Sequence, residues 1–298
     1  MKQHNSLTRV AHLRVALERY AFPLAVLTLV SASAARISPS TSIVLRLLVI
    51  GVVLLGLPHG ALDPFIAKRL WSQNPYFTQL RFWVTYAAIA MICAMLWLMA
   101  ANAALILFLL VSAYHFGSDW QNRGPRWGRF AYGASIVTLP ALRYPDTVGE
   151  IYRALGATLA SSIVITSQVI AIVAIVIASA SLLRQTSSRR HDVRELAFIF
   201  FGGLFIRPLL FFICYFCLLH SPRHLLETAQ RLNLYGMLPI VRAVLPALVA
   251  TLALAAVLWY FLPPNLPANK TLQIVFIGLA AITVPHMLLS EADKRVMS

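Results

Sequence analysis

Five of the eight histidines in this chain stand at the ends of apolar segments: His59, His115, His220, His224 and His286. An ionisable side chain at membrane depth is costly, so each marks a candidate functional position. His220-Ser-Pro-Arg-His224 sets two imidazoles four residues apart. That is one helical turn, so both can reach a single metal ion. Phe216 and Phe212 carry the same spacing backwards as an apolar wall leading to the pair. Pro222 removes one backbone donor between the two histidines and predicts a kink there. Pro58-His59 and Pro285-His286 repeat a proline before a histidine. Any one of these residues alone is as well explained by a polar contact between helices; the set is what points to a metal. His4 and His12, in a basic leader, and His191, in Arg189-Arg190-His191-Asp192, read as solvated.

Carboxylates accompany the histidines. His59-Gly-Ala-Leu-Asp63 and His115-Phe-Gly-Ser-Asp119 share the spacing i,i+4, and Glu227 follows His224 by three. A metal-bound imidazole usually gives its second N–H to a carboxylate, carbonyl or water, which fixes its tautomer. Asp63 and Asp119 suit that task, and equally suit ion pairs with Lys68 and Arg123. Neutral imidazoles accommodate zinc, copper, iron or nickel. Zinc held by four histidines would be coordinatively closed. A metal that takes five or six ligands keeps a position open, which leaves room for dioxygen chemistry on iron(II). Cys93, Cys214 and Cys217 all fall in apolar stretches and read as small packing residues.

The elements that position these groups are membrane helices. Of 298 residues, 59% are hydrophobic and 12% charged, against roughly 45–50% and about 25% in soluble domains. A soluble enzyme is excluded. Uncharged runs of helical length, with no alternating ten-residue strands, argue against an outer-membrane barrel. The expected fold is an all-α polytopic transmembrane bundle of about ten segments: Tyr20–Ala35, Ile43–Leu57, Phe82–Ala100, Ala103–Phe116, Phe130–Leu142, Leu159–Leu183, Leu196–Ile206, Leu209–Leu219, Val244–Leu262 and Leu272–Leu289. Leu196–Leu219 reads as one helix, two crossings, or a re-entrant hairpin broken at Gly202-Gly203 and Pro208. The net charge of +15 fits loops that collect Lys and Arg at the cytoplasmic face rather than a nucleic-acid surface. With a cytoplasmic N-terminus and ten crossings, only Arg36, Arg143, Arg153, Arg207 and Lys270 fall in outer loops, a better separation than nine crossings give. The same count brings all five histidines to one layer near the inner leaflet. Residues 1–19 form a basic cytoplasmic leader. The Ser-Ala-Ser-Ala-Ala that ends the first segment loosely resembles a signal-peptidase site, but it reads as part of an uncleaved helix. One integral-membrane domain, 1–298, in the cell (inner) membrane is expected.

Gly56-Leu-Pro-His59-Gly-Ala-Leu-Asp63, Tyr114-His115-Phe-Gly-Ser-Asp119, His220-Ser-Pro-Arg-His224 and Pro285-His286-Met together resemble the Brp/Blh family of integral-membrane β-carotene 15,15′-dioxygenases. The four motifs occur in the family's order over nearly the whole chain. The resemblance implies iron(II) held by His59, His115, His220 and His224, and His286 matches a further motif of the family. Pro64 stands where many members have another histidine, so that position's role does not carry over. The implied reaction is central cleavage of β-carotene or a related polyene by O₂, giving two retinal, with no general acid or base beyond the metal ligands. Phe116, Trp120, Phe212, Tyr215 and Phe216 are the expected tunnel lining; their plainer reading is ordinary helix packing. The polyene would arrive from the bilayer, and a rhodopsin is one recipient for the retinal.

Three other readings remain at this stage. A haem protein fits poorly, because His220 and His224 share one helix while haem takes its axial ligands from opposite faces. A non-catalytic carotenoid or retinal binder would use the same lining. A proton or metal transporter would use the histidines as a relay.

Overall fold

The computed structural model describes residues 15–71, 75–120, 124–184, 189–234, 236–261 and 267–297. Every element among them is helical. The main helices are α1 (Phe22–Ala34), α2 (Thr41–Leu70), α3 (Pro75–Met99), α4 (Ala101–Trp120), α5 (Arg126–Thr138), α6 (Pro145–Ala154), α7 (Ala160–Leu183), α8 (Arg189–Phe205), α9 (Pro208–Arg231), α10 (Met237–Phe261) and α11 (Pro267–Met297). His4, His12, Arg123, most of the basic leader and the His191 side chain lie outside the described residues.

Among the described residues, seven helices, α2, α3, α4, α7, α9, α10 and α11, are long and apolar enough to cross a bilayer. In α7, 24 residues run without a charge; at 1.5 Å per residue they extend about 36 Å, more than the ~30 Å hydrocarbon core. The other three expected segments fall short, for local reasons. α1 has 13 residues of α geometry before Arg36 turns left-handed (φ 58°), and the π-wound Leu17–Ala21 leading into it carries Glu18 and Arg19. α5 also has 13, because Pro140 has no N–H to continue the ladder. α8 spends its first two turns on Arg189, Arg190, Asp192, Arg194 and Glu195, so only its second half is apolar. Leu196–Leu219 is not one helix. Arg207 is extended (φ −56°, ψ 145°), as a residue before proline prefers. Gly202-Gly203 is no break: the pair lies inside α8, where added Cβ atoms would stand 2.8 Å from Phe211 and 2.7 Å from Leu139.

The chain divides into two compact units. The first comprises Met1–Tyr20, Leu45–Leu98 and Phe216–Ser298; the second comprises Ala21–Val44 and Met99–Tyr215. In the first, Ala61 and Leu62 of α2 pack with Ala229 of α9 and with Ile240 and Val244 of α10. Ile66 and Ala67 pack with Phe82 of α3 and Leu289 of α11. Small residues on α2 thus let three histidine-bearing segments converge. A Schellman-type stop ends α9, with Asn233 left-handed (φ 57°) and the Leu234 N–H bonded to the Ala229 carbonyl at 2.8 Å.

The second unit is held by close backbone contact. Ala113, Ala134 and Ala174 bring α4, α5 and α7 together. A Cβ at Gly133 would stand 1.9 Å from the Ala113 carbonyl oxygen, and one at Gly117 2.6 Å from that of Arg129. Such approach through small residues is how membrane helices gain packing where lipid supplies no hydrophobic drive. His115 lies between Ala113 and Gly117, so this contact fixes the turn that carries it.

Candidate metal centre

Two of the first unit's three histidine-bearing stretches depart from α geometry. Val52–Gly56 is π-wound and Leu57–Leu62 is 3₁₀, with His59 in its middle. Ile213–His220 is π-wound, and α geometry resumes at Ser221. The irregularity expected at Pro222 therefore falls on the turns before it. Single π turns inside α-helices are frequent at functional sites, because they re-aim side chains.

Four imidazoles gather here. Ring centroids of His59 lie 5.6 Å from His220, 6.5 Å from His224 and 5.0 Å from His286, and His220 lies 4.5 Å from His224. With metal–nitrogen bonds of about 2.1 Å, rings sharing one ion have centroids roughly 4.5 to 6.5 Å apart. Four of the six ring pairs have separations in that range. Phe216 stacks on His220 (5.8 Å, 20°) and meets His59 edge-on at 5.7 Å. His220 is fully buried and His286 nearly so.

The hydrogen bonds define tautomers. His59 Nδ1 is 2.5 Å from the Gly56 carbonyl oxygen, which can only accept, so Nδ1 carries the proton and the lone pair is on Nε2. Ser221 Oγ donates to the same carbonyl at 3.1 Å and lies 2.9 Å from His59 Nδ1. Gly56 is needed there, since a Cβ would stand 2.7 Å from Phe216 Cε1. His286 Nδ1 donates to Asp63, 2.8 Å from Oδ1. In both rings Nδ1 holds the proton, so Nε2 is the nitrogen that a metal would take. This donor set fits iron(II) among the nitrogen-preferring metals.

Asp63 therefore serves a histidine of a different helix. In α geometry four residues return to within about 40° of the starting direction, but in 3₁₀ geometry they end about 120° away. The 3₁₀ stretch swings Asp63 toward α11 instead of keeping it under His59. Lys68, its alternative partner, is exposed. Glu227 pairs with Arg231 at 3.6 Å. Arg223, between the two histidines of α9, is buried and donates to Glu18 at 2.8 Å, which ties the end of the leader to the site.

In the second unit His115 is buried at the end of α4, beside Phe116. Asp119 accepts a 2.6 Å hydrogen bond from Tyr215. Tyr215 also packs edge-on against Phe116 and Phe22. Trp120 stacks on Tyr132 at 4.4 Å, and Tyr132 donates to the buried Glu195 at 2.7 Å. Phe212 sits at the end of the first turn of α9. Of the expected lining residues, Phe116, Trp120 and Tyr215 belong to this unit and Phe216 to the other; all four are buried. Sequence reasoning missed Tyr86, Ser221, Tyr132 and Glu195. Only Ser221, inside a histidine motif, carried a signal.

Comparison with known proteins agrees with the motifs. The family model described as beta-carotene 15,15′-dioxygenase matches residues 50–292. A beta-carotene 15,15′-dioxygenase of the uncultured marine bacterium 66A03 is 28% identical over 253 residues, covering 80% of this chain and 90% of its own. No solved structure matches. With the family model spanning most of its length, the chain belongs to the β-carotene 15,15′-dioxygenase family.

Proposed function

We propose that this protein cleaves β-carotene at its central 15,15′ double bond with O₂, giving two retinal, at a non-haem iron(II) centre in the cell membrane. Family membership supports the reaction class. The observation that carries the site is the gathering of His59, His220, His224 and His286, two of them fixed with Nε2 as the donor. His59, His220 and His224 would hold the iron together with His115, assigned on its motif, and His286 is a further ligand. Bound there, iron(II) would supply the activation of dioxygen that the carbon skeleton itself lacks.

The protein's own work is positional. Gly56 and Ser221 fix the face of His59 turned toward the site. Phe216, stacked on His220, holds that ring in plane and offers an apolar surface to a polyene. Holding the rigid chain with its central bond at the metal is worth several kcal/mol of activation free energy as prepaid orientation. Both atoms of O₂ end in the two aldehydes, so the reaction balances with no external reductant and no proton donor.

Expression in bacteria that accumulate β-carotene tests this directly. The expected result is bleaching of the cells with retinal in the extract. Persistent colour with iron-loaded protein in the membrane would overturn it.

A further inference from the structure

Tyr86 lies on α3, a helix with no histidine, yet its hydroxyl reaches the histidine cluster through Asp63. The O–H is 3.0 Å from Asp63 Oδ2 and 3.3 Å from the Ile282 carbonyl oxygen. Asp63 in turn accepts the Nδ1–H of His286, 2.8 Å from Oδ1 and 3.0 Å from Oδ2. Three helices thus meet in one chain of bonds: Tyr86 of α3, Asp63 of α2 and His286 of α11. Asp63 is 1% exposed and His286 7%. A carboxylate this deep needs hydrogen bonds to its oxygens, and here they come from a phenol and an imidazole. Ile282 stands one turn before His286, so Tyr86 touches both the carboxylate that sets the ring's tautomer and the backbone turn that carries the ring.

We propose that Tyr86 and Asp63 are positioning residues that hold the His286 ring with its proton on Nδ1 and its Nε2 directed at the iron, as a ligand additional to the four of the family motif. The proposal rests on the iron reading above. Its physical basis is the tautomer: an imidazole whose Nδ1–H is held by a carboxylate has its lone pair on Nε2 and is the more basic ligand for it. The same end is reached differently at His59, where a backbone carbonyl and Ser221 take the place of the carboxylate and the phenol. A carboxylate partner adds negative charge beside the site and a carbonyl does not. His286 would therefore be the more strongly donating of the two imidazoles.

The test uses the full chain in detergent, loaded with Fe(II) or, in parallel, with Co(II). Two readouts do not depend on catalysis: the rate of iron loss to a ferrous chelator, and the ligand-field spectrum of the cobalt form. Asp63→Asn is expected to speed iron loss by about 10–100-fold, the usual range for an outer partner of a metal ligand. Tyr86→Phe, which removes one hydroxyl and little volume, should speed it several-fold. The double variant should behave like Asp63→Asn alone, because Tyr86 acts through Asp63. His286→Ala should move the cobalt bands, and Asp63→Asn and Tyr86→Phe should move them part of the way.

Wild-type iron loss and wild-type cobalt bands in Tyr86→Phe would overturn the proposal, as would additive effects in the double variant. If iron is lost on His220→Ala but is retained as in wild type on Tyr86, Asp63 and His286 substitutions, the relay falls and the iron site stands. If wild-type protein retains no iron at all, both fall.

Discussion

The two compact units bury polar groups with different partners. In the first, the buried carboxylate Asp63 is shared by a phenol and an imidazole, and four imidazoles crowd together. In the second, Asp119 and Glu195 each accept from a tyrosine, and those tyrosines pack against Phe116, Phe22 and Trp120. The first unit deforms its helices to aim side chains, with π and 3₁₀ turns around His59 and His220. The second brings its helix backbones into contact through glycine and alanine. One gathers imidazoles and the other gathers apolar and small residues around its buried carboxylates, although both contain motifs of the same family. A histidine within four residues of an aspartate does not by itself fix what either will do; the local winding of the helix decides.

The comparison yields graded expectations. His220→Ala, in the first unit, should reduce bound iron to background, measured by metal analysis of membrane-inserted protein, while thermal unfolding of the remainder changes little. Retained iron would remove His220 from the centre. Gly133→Ala, in the second unit, forces a methyl onto a backbone oxygen; overpacking of this kind costs about 1–3 kcal/mol or more, read as a lowered melting temperature in detergent. An unchanged melting temperature would mean that α4 and α5 part easily and that the contact does not fix His115. Tyr132→Phe leaves the buried Glu195 short of one donor, a cost of about 1–3 kcal/mol. Its iron content should remain that of wild type. Loss of iron there would erase the contrast between the units.

Much of the fold was legible in the sequence because bilayer thickness is a strict ruler. Long uncharged runs such as 160–183 announce themselves, and Pro208 marks the break between α8 and α9. The count was less legible. Tyr20–Ala35 and Phe130–Leu142 are apolar enough to suggest crossings, but Glu18 and Arg19 occupy the turn that leads into the first and the missing donor of Pro140 ends the second. The second ending depends on a single backbone position that hydropathy does not register. Gly202-Gly203 has the composition of a breaker, yet Phe211 and Leu139 press against it and keep it helical.

The site was legible as residue types and obscure as partnerships. Histidines at helix ends stand out against an apolar chain, and spacing alone pairs His220 with His224. The Asp63 pairing is different. Periodicity assigned it to its own helix, but the 3₁₀ turn delivers it to His286, and no local signal specifies that winding. Tyr86 is one aromatic residue in a uniformly apolar helix. Its role exists only because α2, α3 and α11 converge, and convergence is a property of packing.

The central claim is that histidine-held iron cleaves β-carotene at its midpoint. Purified protein loaded with Fe(II) without oxygen, given β-carotene and then ¹⁸O₂, tests it in one vessel. The account predicts two retinal for each β-carotene consumed, label in both aldehydes before exchange with water, and no product from iron-free or His220→Ala protein. Cleavage by iron-free protein, or aldehydes of unequal chain length, would contradict it.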